Sequence, residues 1–428
     1  VQFDCKFIIF AANLLTPDLN KIARIYKNTY RGLSPATWWL SVVMLINRSG
    51  TMVVPFMALY LTESRHYTIS QAGIVMALFG LGAIGGGILG GKLTDKLGFY
   101  RVQLAALLCG GTMFLLLGQM NNFGAICVCV FLLSILNDSF RPANATAIAE
   151  YSNEENRTRC FSLNRLSINV GWAVGSAVGG FVAAHNYQLL FWIDGLTNIG
   201  AAILLMAVLA PSRNAQTPSK NDRKAKQVQP AASPYRDAQY MFFFVLTILF
   251  GYTFFQIFST IPLYYRKVLH VSPALIGGVM SMNGIIVAVV EMALVFTLEQ
   301  RRRNLHFITM GMFCVALSFL VFNFLPEAGY LAVVSTLIFT PGEMLTMPFM
   351  NSFMISRTTP ENRGQYAGLY TVAWSVAQVI GPFSGTRIAD KFGFGTLWWV
   401  TGGMALAAMA GFRYLQSVTE KAASGQPD

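Results

Sequence analysis

The chain has 428 residues, 54% of them hydrophobic and 12% charged, with a formal net charge of +12. Soluble globular chains carry about 25% charged residues, so this one cannot cover a water-facing surface and must present most of its exterior to lipid. The lysines and arginines sit in short loops between apolar runs, the pattern that orients membrane helices, which excludes a phosphate-binding face and a nucleic-acid partner.

Residues 1–35 form an N-terminal segment. Its apolar run from Phe7 to Leu15 is too short to span and is followed by no small-residue cleavage site. Asp18 to Gly32 reads as a basic amphipathic helix on the membrane surface. A bilayer core needs about 20 apolar residues of helix. Six segments meet that need in residues 36–210: 37–62, 70–91, 102–120, 124–149, 160–184 and 187–210. Residues 211–238 break the pattern, with Pro211, Pro218, Pro230 and Pro234 among six lysines and arginines, and read as a solvated linker. Six more spans follow in residues 239–415: 240–265, 273–298, 306–325, 329–356, 364–386 and 395–412, then a tail at 416–428. The expected fold is all-α and integral to the membrane, with twelve transmembrane helices as two pseudo-symmetric six-helix bundles.

With both termini and the linker inside, 23 of the 31 lysines and arginines fall on the cytoplasmic face of the cell membrane. The halves also repeat. Adding 206 to Pro142, to Glu155-Asn156-Arg157, to Gly175 and to Gly179 lands on Pro348, Glu361-Asn362-Arg363, Gly381 and Gly385. One constant offset across a helix, a loop and the next helix implies a parallel duplication. Such a duplication places a substrate site between the halves near the midplane.

The loop after the second span reads Gly91-Lys-Leu-Thr-Asp95-Lys96-Leu-Gly98-Phe-Tyr-Arg101. A carboxylate at a helix end, bases around it and a glycine-permitted turn make a charge lock between helix ends. This stretch resembles the G-x-L-x-D-R/K-x-G-x-x-R signature of the major facilitator superfamily, at the same position. The resemblance covers residues 36–412 and implies a secondary transporter working by alternating access, in which the lock favours the outward-facing state. The matching loop of the second half keeps Glu299 against Asp95 but then runs Gln300-Arg301-Arg302-Arg303 without the glycine. The fifth span carries Gly171-x-x-x-Gly175-Ser176-x-x-Gly179-Gly180, similar to the G-x-x-x-G-P-x-x-G-G pattern of the superfamily's proton-coupled antiporters, with Ser176 in place of proline. The eleventh has Gly381-Pro382-x-x-Gly385. Glycines on one helix face let helices approach closely, as a sliding seal or as ordinary packing. The bacterial drug:proton antiporters are the nearest in pattern. The proton-coupled oligopeptide transporters are a second relative, but of their E-x-x-E-R motif only Arg48 is present here.

Seven ionisable residues lie within the spans: Arg48, Asp138, Arg141, Arg165, Asp194, Glu291 and Glu343. Each costs about 2.5–3.5 kcal/mol at a helix centre on insertion scales, so each should face protein or a water-filled cavity. Arg48, mid-span, reads as an anchor for an anionic group or as half of an ion pair. Asp138 and Arg141, three apart, share a helix face and can pair. Glu343, after Pro341-Gly342 and without an obvious local partner, ranks first as proton carrier, Glu291 second and Asp138 third. Arg165 can snorkel to the interface, and Asp194 reads as structural. Asn164, Asn169, Trp172, Tyr252, Gln256 and Tyr264 are candidates to line a cavity for a bulky substrate.

The six cysteines and four histidines show no metal-ligand or disulfide spacing, and no nucleophile–base constellation appears. No cofactor, metal or enzymatic activity is expected. The expected partners are a small-molecule substrate, protons and the bilayer, with the chain acting as a monomer. Proton-coupled efflux of hydrophobic or amphipathic compounds is the leading expectation. Proton-coupled uptake of peptides or metabolites, and a lipid-handling or non-transporting role on the same fold, are its rivals.

Overall fold

The computed structural model describes residues 33–153, 156–209, 233–298, 304–358 and 362–424. The segments 7–15 and 18–32, most of the linker, Glu155, Glu361 and the Glu299–Arg303 loop lie outside the described residues. Among the described residues the chain is helical without strands. The helices are α1 (Pro35–Ser64), α2 (Ile69–Leu97), α3 (Phe99–Gln119), α4 (Phe123–Glu150), α5 (Arg157–His185), α6 (Tyr187–Val208), α7 (Ala238–Phe258, continued by Thr260–Lys267), α8 (Pro273–Leu298), α9 (Asn304–Phe324) and α10 (Tyr330–Ser356). The last stretch, Arg363–Ser424, is interrupted by non-helical Gly393 and forms α11 (363–392) and α12 (394–424).

Polar caps followed by long apolar runs set the helix starts. Ser34 accepts from the Thr37 N–H just ahead of Pro35, Thr68 and Gln71 form a capping box, and Asn122, Asn186 and Asp237 cap α4, α6 and α7. Large apolar side chains such as Val128, Phe181, Ile203, Val289 and Trp399 stand exposed around the outside. So many exposed apolar groups on a helical exterior mark a lipid-facing surface. Eleven of the described helical stretches are long and apolar enough to cross a membrane, and the break at Gly393 divides the last into two passes.

Within the first half α4 packs on α2 and α3, α6 on α3, and α1 on α5 and α6; within the second, α9 packs on α10 and α12, and α7 on α11 and α12. Between the halves, α5 packs on α8 and α2 on α11.

Two spans expected to be continuous are broken. Helix α1 interrupts between Ser49 and Val53, and α7 passes through a tight turn at Gln256–Phe258 before resuming at Thr260. The breaks lie 206 residues apart, the offset of the sequence repeat. Pro55 and Pro262 stand in the first turn after each break, where a missing N–H leaves no bond unmade. A histidine in the left-handed region follows the end of each helix within three residues, His66 (φ 57) and His270 (φ 54).

Two boundaries also differ from expectation. Helix α12 continues past 412 to Ser424, supported by buried Leu415 and hydrogen bonds linking Arg413, Gln416 and Glu420. The linker ends early, because Pro234–Arg236 forms a short turn with Pro234 buried and Asp237 anchored to the second half. Asp237 accepts from Arg357 Nε and Nη2 (2.8 and 2.9 Å), Tyr366 Oη (3.2 Å) and the Tyr240 N–H (3.0 Å). Partial burial alone would raise this carboxyl, but the Arg357 contact and the other donors hold it below the ordinary aspartate value. Its contribution to stability is therefore complete above the unfolded pKa of about 3.9 and is lost as pH falls through the lower folded value. Arg357→Ala should lower the thermal midpoint in detergent by a few degrees at pH 7, about 1–2 kcal/mol, with the gap closing as pH falls through the lowered folded value. A gap of equal size above and below that value would contradict this.

Candidate functional site

The break in α1 is held by α6. Asp194, fully buried, accepts from the Met52 N–H with both carboxylate oxygens (2.9 Å) and from the Val53 N–H (2.8 Å), capping the second half of α1. Asn47 Nδ2 donates to Asn198 Oδ1 (2.8 Å), and Asn198 donates back to the Asp194 carbonyl (2.7 Å). With no water in the bilayer core, backbone donors freed by a break need such a partner.

Arg48 stands on the turn before this break. Its Nε is buried and makes no hydrogen bond among the described residues, and the charges of Arg141 and Asp138 on α4 reach it. The glycine motif of α5 packs directly on this turn. A Cβ at Gly171 would lie 2.6 Å from Arg48 Cβ, and one at Gly175 would lie 2.9 Å from the Ser49 carbonyl, so both positions require glycine. Gly179 faces Met52 and Phe56. Gly180 turns to the other half, where a Cβ would lie 2.6 Å from the Pro273 carbonyl and 2.7 Å from Gly277 Cα. In the second half Gly381 and Gly385 bring α11 against the α7 break, and Gln256 donates to the Gly381 carbonyl (3.1 Å). Neighbouring Pro382 is buried, and its carbonyl accepts from Thr386 (2.6 Å). Each glycine motif thus seats its helix on the break of the first helix of its own half.

The intramembrane charges fall into two groups. Asp138 pairs with Arg141 (3.0 Å), as their spacing suggests. Glu291 on α8 pairs with Arg165 on α5, so Arg165 bridges the halves rather than snorkelling to the interface. Both arginines remain wet, with side chains 68% and 49% exposed. Charged groups this exposed within membrane helices must border water rather than lipid. Glu343 is different. Midway along α10, it accepts a hydrogen bond from Asn283 Nδ2 (3.2 Å), a neutral donor that also donates to Thr340 (3.0 Å), and among the described residues it has no arginine or lysine partner. Beside Asn283 is a cavity of about 40 Å³ between Trp172, Ile257, Ile261, Tyr265, Met280 and Phe339. A space of this size has room for a water or so.

Several candidate residues lie elsewhere. Asn164 is buried and accepts from Asn144 (3.1 Å) within the first half. Tyr252 and Gln256 are buried where α7 meets α11, and Tyr264 packs among Phe322, Phe394 and Trp398. These pack against α9, α11 and α12 of their own bundle. Asn169 is half-buried on α5, and Trp172, edge-on to Phe258, borders the cavity. Asn283 and Thr340 escaped the sequence reading; an asparagine inside an apolar span was the available signal.

The two halves are latched together at one face, and at the other the Asp95 turn stands free among the described residues. At the first, Arg266 of α7 donates to Glu63 of α1 (2.5 Å), Tyr187 donates to the same carboxylate (2.7 Å), and Ser70 of α2 donates to Asp390 of α11 (2.6 Å). At the second, Asp95, Lys96 and Arg101 are exposed and without hydrogen-bond or ion-pair partners among the described residues, and a Cβ on Gly91 would meet nothing within 4 Å. Gly98 forms the turn there with φ 82.

Two six-helix halves, sealed at one face and wet between buried charges towards the other, define a transporter that exposes a central site to one side of the membrane at a time. The chain belongs to the Major Facilitator Superfamily, whose sequence model matches residues 39–382. It is 23% identical to a Na(+), Li(+), K(+)/H(+) antiporter of Planococcus maritimus, covering 86% of this chain and 92% of that one. It is 21% identical to the quinolone resistance protein NorA of Staphylococcus aureus (strain COL), covering 79% and 86%. In three dimensions it matches the crystal structure of the peptide transporter POT in complex with sulfate, with TM-score 0.76, 17% identity, and 90% and 96% of the two chains covered.

Proposed function

We propose that the chain is a proton-coupled exporter of hydrophobic or amphipathic small molecules, acting as a monomer in the plasma membrane with the Asp95 face cytoplasmic. The observation that carries this reading is Glu343. It accepts from a side-chain amide that borders the cavity, whereas Asp194 is committed to the backbone N–H groups of the α1 break and Asp138 and Glu291 each pair with an arginine. Taking up and releasing a proton at Glu343 changes the charge of the site, and among the described residues no arginine or lysine forms an ion pair with it.

The rest follows from that arrangement. The walls around Trp172, Ile261 and Phe339 are aromatic and apolar, and suit an apolar body once the water-sized cavity widens in another state. Arg48, with its Nε unpaired, offers a point for an electronegative group on the substrate. Relatives named for cation/H(+) antiport and for quinolone resistance support exchange against protons and a drug-like substrate. The Asp95 face carries the excess of lysine and arginine expected of a cytoplasmic face.

The test is uptake of fluoroquinolone and cationic dye probes into everted vesicles acidified inside. The reading requires uptake that collapses when the pH gradient is dissipated, and uptake of dipeptides driven in the inward direction in intact cells would overturn it. Asp95→Asn should slow turnover about tenfold with little change in substrate affinity, because Asp95 is exposed and without a hydrogen-bond or ion-pair partner among the described residues, and its contact belongs to the other state. Wild-type flux would make the loop a topological signal only.

A further inference from the structure

The turn that joins α2 to α3 has a counterpart on the opposite face. Asp95-Lys96-Leu97-Gly98-Phe99 recurs as Asp390-Lys391-Phe392-Gly393-Phe394 where α11 turns into α12, 295 residues on. That offset is unrelated to the 206-residue repeat of the halves. The backbone repeats with the sequence: Gly98 has φ 82 and ψ 152, and Gly393 has φ 83 and ψ 164. Both are in the region that favours glycine, and each lets two long helices meet at a sharp corner.

Helices α2 and α11 lie against one another in opposite directions. Gly73 of α2 faces Pro382 and Thr386 of α11, and Gly80 faces Gln378. Each helix therefore places its Asp-Lys-x-Gly-Phe turn on the face where the other begins. At one face the arrangement is engaged. Asp390 accepts from Ser70 Oγ (2.6 Å) in the first turn of the 29-residue helix α2, where the exposed backbone N–H groups favour a carboxylate. At the other face Asp95 points to no partner among the described residues, although α11 starts on that side.

We propose that Asp390 and Ser70 form a second conformational lock, the mirror of the Asp95 lock, so that the α2–α11 pair carries one latch at each face and closes them alternately. The Asp390 latch holds the state seen here. When the halves rock, Ser70 leaves Asp390 as the start of α11 reaches Asp95, and each transition exchanges one charge-assisted contact for another. The energy difference between the two states then stays small, which a two-way transporter needs. The proposal takes alternation from the family and is independent of the substrate and coupling ion proposed above.

Hydrogen exchange on the full-length protein in nanodiscs at fixed pH tests it. Asp390→Asn keeps an acceptor oxygen but loses the charge, so it should speed exchange of backbone amides at 69–73 and 390–396 by about twofold to fivefold, the factor expected for losing a carboxylate at a helix N-terminus, and slow exchange at 94–101. Ser70→Ala should reproduce that pattern, and the double variant should be no stronger than either single one. Asp95→Asn should produce the opposite pattern. Unchanged exchange in Asp390→Asn, or faster exchange at both faces together, would overturn the proposal. A folded Asp390→Glu with the wild-type pattern would support it by retaining the carboxylate.

Discussion

Glu343→Gln should abolish transport driven by a pH gradient while leaving a folded protein that still exchanges labelled for unlabelled substrate. Glutamine matches glutamate in shape and can keep the contact with Asn283 (3.2 Å), so binding and packing survive. It cannot take up or release a proton, so substrate movement loses its link to the gradient. The expected loss is roughly 100-fold in gradient-driven accumulation, the upper range of a coupling free energy of about 3 kcal/mol. Asp138→Asn should retain coupling, because the Asp138 charge is already neutralised by Arg141 at 3.0 Å. Full accumulation by Glu343→Gln, alongside loss in Asp138→Asn, would move the proton to α4.

Asp194→Leu is expected to have the largest effect on stability. The change leaves the Met52 and Val53 N–H groups, both in the bilayer interior, without the acceptor that holds them now. Unsatisfied buried donors cost several kcal/mol in hydrocarbon, so the thermal midpoint in detergent should fall by on the order of 10 °C, or folded protein should not be recovered. Asp194→Asn keeps one acceptor oxygen and should lose only part of this. Equal midpoints for wild type and Asp194→Leu would show that the α1 break is held by something else. Because Arg48 sits one turn before the break, Asp194→Asn should also weaken substrate binding more than it slows turnover.

Spans, the repeat and the Asp95 turn were legible because each is local. A run of apolar residues, a constant offset and a short motif are all properties of neighbouring positions. The helix breaks were not read, although Pro55 and Pro262 stand just inside both resumed helices. Proline is common in membrane helices, and its meaning here depends on Asp194 and Gln256, which belong to the packing. Arg165 was misplaced for the same reason: its partner Glu291 is 126 positions away on the other half. Tyr252, Gln256 and Tyr264 were assigned by residue type to a cavity, but which neighbours each meets is decided by packing against distant helices. Glu343 stood out because nothing near it in sequence could neutralise it, and among the described residues its hydrogen-bond partner is Asn283.

The central claim is that the two halves rock about a midplane site, opening one face as the other shuts. Electron–electron distance measurements on spin-label pairs at exposed positions address it directly. Leu97 with Ile355 reports the Asp95 face, and Gln119 with Phe324 reports the opposite face. Stepping the pH across the physiological range, with and without substrate, should lengthen one distance as it shortens the other. Distances that stay fixed at both faces, or that lengthen together, would contradict the account.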